Sequence, residues 1–264
     1  MNPLRLEQMT VFDVAPEHVV DIAVELGIPL VSFCVVEAMP GARPVTQSNK
    51  RPVLERLRNA PVKVDTVEVF VLRPDPLGME AEIALAAELG ASAIIALHLL
   101  SGGEQEAAEQ LAALCTLAAS YDLLVSLEPI SMGLTRTITE AQRVVRLSGA
   151  PNARLTLDLL HIVRTGTPVS EVTAIDPALI SSAQVCDGPA IAPADLIEEA
   201  GYSRAIPGSG DFPIAQFLEL LPDGVPLGLE VPLKPLREAG MSAAERTRLV
   251  LDAVRRYPGP ALPA

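Results

Sequence analysis

Four oxygen-bearing side chains, Glu128, Asp158, Gln184 and Glu230, stand at corresponding places along this 264-residue chain. Each falls at the end of a short apolar run: Val125-Ser-Leu-Glu128, Leu155-Thr-Leu-Asp158, Ala183-Gln184 and Leu227-Gly-Leu-Glu230. Carboxylates crowded into one small volume repel one another unless a cation holds them. Three carboxylates and one amide oxygen form a hard ligand set that suits Mn²⁺ or Mg²⁺, whereas Zn²⁺ generally takes His or Cys. Alone, Asp158 reads as a helix N-cap, which aspartate makes well. Glu128 and Glu230 lie inside apolar runs, where a buried carboxylate needs a cation or a hydrogen-bond partner. The expectation is one divalent ion, Mn²⁺ or Mg²⁺, held by Glu128, Asp158, Gln184 and Glu230.

Other candidates surround this set. His161 follows Asp158 by three residues, so it can turn back over the same site. Arg204 precedes the glycine-rich turn Pro207-Gly208-Ser-Gly210-Asp-Phe-Pro213, where the chain can approach a ligand closely. Asp187, three residues after Gln184, could touch substrate, orient His161 or an arginine, or cap the following loop. His98, at the end of another apolar run, is a pocket candidate whose alternative is a satisfied core histidine. Glu37 and Arg73 read as solvated charges. Cys34 and Cys186, with no base partner in sight, read as small apolar fillers.

The elements that position these residues repeat along the chain. Strand-like runs fall at Leu4–Met9, Leu30–Val36, Thr66–Leu72, Ala93–Leu99, Leu123–Glu128, Arg154–Asp158, Ile180–Cys186 and Pro226–Val231. Helical patterns alternate with them at Pro16–Leu26, Gly78–Leu89, Glu104–Ala119, Thr137–Leu147, Pro213–Leu221 and Ser242–Arg255. A strand followed by a helix, repeated eight times in about 250 residues, predicts a single-domain (β/α)₈ barrel over residues 1–264. The competing open sheet usually shows a glycine-rich turn after its first strand, and Thr10-Val-Phe-Asp-Val-Ala holds no glycine. Residues 38–50 and 187–212 read as long connections, and the Pro-rich tail from Tyr257 as a surface segment. Barrel enzymes gather their functional groups where strands end, which is where the four oxygen donors stand.

Composition narrows the partners. A net charge of −13 repels phosphate backbones and disfavours nucleic acid, and the absence of Trp argues against stacking platforms for bases. No apolar run approaches the roughly 20 residues of a membrane span, and the N-terminus shows no secretory pattern. Three widely spaced cysteines form no metal or redox pair and read as reduced thiols, which points to the cytoplasm. The expected partner is a small-molecule substrate, with no membrane and, as an open possibility, a homo-oligomer.

In Leu127-Glu128-Pro129, Leu157-Asp158-x-x-His161, Gln184-x-x-Asp187, Pro207-Gly208-x-Gly210-Asp-Phe-Pro213 and Leu229-Glu230-Val231 the chain resembles the sugar phosphate isomerase/epimerase family, the xylose-isomerase-like TIM barrels. The resemblance implies that Glu128, Asp158, Gln184 and Glu230 are metal ligands. It further implies that Glu128 and Glu230 exchange protons with substrate, and that His161 and Arg204 contact substrate oxygens. Many members carry histidine where Gln184 stands, and glutamine there is similar to the hydroxypyruvate isomerase branch.

The implied activity is that of an isomerase or epimerase. A carboxylate removes a proton beside a carbonyl, a divalent ion stabilises the enediolate, and a second carboxylate returns the proton. Return to the same carbon epimerises and return to its neighbour isomerises. Loss of a β-hydroxyl would make the enzyme a dehydratase instead. A sugar-binding barrel without chemistry is the reading from another class, and solvent-deuterium exchange into substrate separates it from all three.

Overall fold

The structure, a computed structural model, describes residues 2–258. Eight parallel strands close into a barrel in sequence order: β1 (Leu4–Leu6), β2 (Leu30–Cys34), β3 (Lys63–Val71), β4 (Ala93–Leu97), β5 (Leu124–Leu127), β6 (Ala153–Asp158), β7 (Ile180–Val185) and β8 (Leu227–Leu229). Their near-continuous apolar runs follow from burial on both faces, with side chains inside the barrel or under the helices. No helix among the described residues is long and apolar enough to cross a membrane. The end of the Pro-rich tail, from 259 onward, lies outside the described residues.

Local chemistry sets the helix ends. Helix α1 (Pro16–Leu26) starts on a proline that needs no amide partner and stops at Gly27, whose φ of 67° is left-handed. Helices α2 (Lys50–Asn59), α3 (Glu80–Glu88) and α4 (Glu104–Ala119) follow their strands, and α5 (Ile138–Ser148) begins at a Thr137–Glu140 capping box. Short α6 (Leu159–Arg164) is capped by Asp158, whose Oδ1 accepts the Leu160 amide at 2.9 Å. The connection at 187–212 is more structured than a long loop. It holds α7 (Leu196–Tyr202), capped by Asp195, and an antiparallel bridge between Asp187 and Ala205. Helices α8 (Ile214–Leu220), α9 (Lys234–Glu238) and α10 (Ala243–Val254) complete the wall.

Strand register decides which side chains enter the barrel. Asp158 pairs with Gln184, Gln184 with Gly228, and Gly228 with Arg5, so these four share one row. Residues two positions away along a strand face the same way. Ser126, Thr156 and Ser182 therefore lie one step below Glu128, Asp158 and Gln184. Their hydroxyls are linked, Ser126 to Thr156 at 2.7 Å and Thr156 to Ser182 at 3.0 Å. In the upper of these rows, buried Arg5 binds Glu7 through Nε at 2.7 Å and also pairs with Asp65, the residue skipped in the β2–β3 register. Glycine at 228 is required by this floor, since a Cβ there would lie 1.9 Å from the Glu7 carboxylate.

Candidate active site at the barrel mouth

The strand ends open into a pocket of about 500 Å³, whose lining includes Glu68, Glu128, His161, Arg204 and Glu230. Glu128, Asp158 and His161 each offer a ligand atom within 4.8 Å of the others, and all three are buried. His161 Nε2 stands 3.9 Å from Glu128 and 3.7 Å from Asp158, while Nδ1 lies 3.2 Å from the Ser131 hydroxyl. Burial, outweighing the nearby Asp158 charge, lowers the His161 pKa to about 4, so the imidazole is neutral at pH 7 and can ligate.

Arg204 is the counter-charge. Its guanidinium donates to Asp158 Oδ2 at 2.8 Å and to Glu230 Oε1 at 2.7 Å, and its Nε is tied to the Ala200 carbonyl at 2.9 Å. Burial works against that charge, but the two carboxylates more than offset it. Burial raises the Glu128 carboxyl well above the usual range, and Glu230 and Asp158 raise it further. Glu230 is likewise raised by burial, against the pull of Arg204. One arginine thus stands among three acids, of which Glu128 and Glu230 hold their protons tightly.

Gln184 supplies the test of whether a metal ion fits here. It is fully buried beside Asp158, yet neither its Oε1 nor its Nε2 has a hydrogen-bond partner. A buried amide without a partner is costly, and its oxygen is the kind of hard donor a divalent cation would engage. The donor set fits. Glu128, Asp158 and His161 could hold such an ion, with Gln184 and Glu230 adjoining them. The imidazole was expected on substrate, and its nearness to both carboxylates makes it an additional potential ligand.

The remaining candidates fall elsewhere. Asp187 is buried, and its carboxylate accepts the amides of Gly188, Gly208, Gly210 and Phe212 at 2.8 to 3.0 Å. It organises the glycine-rich turn and does not line the pocket. His98 is out of phase with the barrel interior: Ile95 pairs with Ser126, so Leu97 and Leu99 take the pocket side. Its ring instead meets Thr135 at 2.9 Å and the Ser101 carbonyl at 3.0 Å, under the helices. Glu37 lines the outer pocket and accepts the Gly41 amide, whereas Arg73 lies outside it. Burial holds the Cys34 and Cys186 thiols protonated, in keeping with filler roles.

Two acids escaped the sequence reading. Glu68 lies in β3 and lines the pocket, with only a long 3.9 Å contact from the Cys34 thiol. Burial, then the charge of Glu7, pushes its pKa up to about 8. Glu7 is wholly buried against Arg5. For Glu68 the signal was the one that marked Glu128, a carboxylate inside an apolar run, whereas Glu7 stands among the polar residues Arg5 and Gln8.

Residues 77–255 match the profile of the xylose isomerase-like TIM barrel family. No curated protein sequence matches the chain. The IolI protein, solved with a zinc atom, superposes with a TM-score of 0.77 at 16% identity, covering 97% of this chain and 99% of that one. A D-allulose 3-epimerase from Methylomonas sp. gives a TM-score of 0.70 at 12% identity, covering 97% of both chains. The probable 3-DHS dehydratase AsbF of Bacillus anthracis gives 0.72 at 16% identity, covering 97% of this chain and 99% of that one.

Proposed function

Because the chain belongs to the xylose isomerase-like TIM barrel family, we propose that it is a divalent-metal-dependent isomerase or epimerase of small hydroxy-carbonyl or sugar-type compounds. The observation that carries this reading is the pairing of Glu128 and Glu230 in one pocket, both buried, with Arg204 and His161 beside them. The epimerase among its structural neighbours is consistent with it.

The roles follow from the contacts. Glu128 and Glu230 are the proton carriers, one accepting the proton beside the substrate carbonyl and the other returning it. Arg204 holds Asp158 and Glu230 in place and keeps positive charge at the pocket floor. His161, neutral and oriented by Ser131, either ligates or donates to a substrate hydroxyl. A divalent cation, with Mn²⁺ or Mg²⁺ favoured by the carboxylates, would be held by Glu128, Asp158 and His161 and would supply positive charge for stabilising an enolate-type oxyanion.

Calorimetric titration of chelator-stripped protein with Mn²⁺ tests the metal dependence. Tight one-site binding that weakens at least tenfold in Glu128→Gln and in Glu230→Gln supports it. Absence of specific binding in the wild type would leave a ligand-binding barrel without metal chemistry.

A further inference from the structure

The pocket is polar only at its floor. Beyond Glu68, Glu128, His161, Arg204 and Glu230, its sole polar side chain among the described residues is Glu37 at the rim, which accepts the Gly41 amide. Every other lining residue is aliphatic, a thioether or glycine; Val36, Met39, Leu97, Leu99, Met132 and Ile197 form most of the upper wall. Met39 lies close over Gly201, where a Cβ would come within 2.3 Å of its methyl carbon, so the glycine lets this thioether close one side. Leu99, Val36 and Ile197 stay partly open to solvent, at 37%, 39% and 60%, as expected of a wall that awaits a partner.

This distribution argues against a long polyol. A sugar carries a hydroxyl on nearly every carbon, and those beyond the floor would face methyl and thioether groups. Each hydroxyl stripped of water without a new partner weakens binding, at least about fivefold. A phosphate fares worse, because the one cation lining the pocket, Arg204, is engaged by Asp158 and Glu230. The rest of the charge there is acidic.

We infer that the substrate is amphipathic, with an α-hydroxy-carbonyl head on the carboxylate floor and an unphosphorylated aliphatic tail along Val36, Met39, Leu99, Met132 and Ile197. The assignment rests on the proton-transfer reading for its head group, while the tail is argued from the wall alone. Buried methylenes should then add affinity at the usual increment, about threefold to fourfold each.

The test uses 1-hydroxyalkan-2-ones lengthened stepwise from hydroxyacetone, beside D-fructose and D-fructose 6-phosphate, on the full chain with Mg²⁺. Dissociation constants come from ligand-observed NMR, and deuterium incorporation from D₂O is followed by mass spectrometry. The expected result is affinity rising about threefold to fourfold per methylene over the first several carbons. Both sugars should bind more weakly than the longer ketones. Leu99→Asn and Met132→Gln should each flatten that slope. Graded binding without deuterium incorporation would support the tail and count against the proton chemistry. Binding and exchange confined to the sugars would overturn the tail and leave the chemistry standing. A flat series, or no binding by any ketone, would overturn it as well.

Discussion

Protonation of Glu68 ties the stability of the metal-free protein to pH. Its pKa of about 8 lies above the ordinary carboxyl value of 4.5, so between those limits the folded chain keeps a proton that the unfolded chain releases. Stability therefore falls as pH rises through this window. Glu68→Gln removes that penalty. In chelator-stripped protein the substitution should leave the melting temperature nearly unchanged near pH 4.5 and raise it progressively towards pH 8; an equal shift at both ends would contradict the assignment. Arg204 has the opposite character, since it neutralises Asp158 and Glu230 in a buried setting. Arg204→Met should cost about 3–5 kcal/mol in urea unfolding, because two carboxylates lose their shared partner. Added Mn²⁺ should restore more stability to this variant than to the wild type. A loss below about 1 kcal/mol would mean that the carboxylates do not depend on the arginine.

At the scale of elements, alternation along strands explains both what the sequence revealed and what it hid. The eight strands and six of the helices were legible because apolar runs alternate with amphipathic ones and Pro16, Gly27 and Thr137 mark helix ends. Glu128, Asp158, Gln184 and Glu230 were legible as strand-end residues. Strand phase was not, because it depends on cross-strand register. A shift of one position is why Leu97 and Leu99 face the pocket while His98 packs under the helices. Helices α2, α6, α7 and α9 were missed: α6 and α9 span six and five residues, too few for periodicity to show, α7 lies within the connection after β7, and α2 carries many charges. Asp187 looked like a substrate residue because sequence cannot show four backbone amides converging on one carboxylate. Asp187→Asn replaces half of that acceptor with a donor. It should cost about 2–3 kcal/mol and speed proteolysis between 203 and 212, with limited digestion as the check. Unchanged protection there would show that the turn holds without it.

The whole molecule divides its barrel into layers with different tasks. Arg5, Glu7 and the Ser126–Thr156–Ser182 hydroxyls fix the floor, the acidic cluster with Arg204 forms the working layer, and an aliphatic wall rises above it. Closure of eight strands brings residues distant in sequence, such as Glu128 and Glu230, into one pocket. The central claim is that these two carboxyls move a proton on carbon. The most direct measurement incubates metal-loaded protein with short hydroxy-ketones and ketoses in D₂O and follows deuterium at the carbon beside the carbonyl. The expected result is incorporation by the wild type, its loss on chelation, and a fall of at least a hundredfold in both Glu128→Gln and Glu230→Gln. Bound compounds whose C–H bonds stay unlabelled, or labelling that persists in both variants, would contradict it.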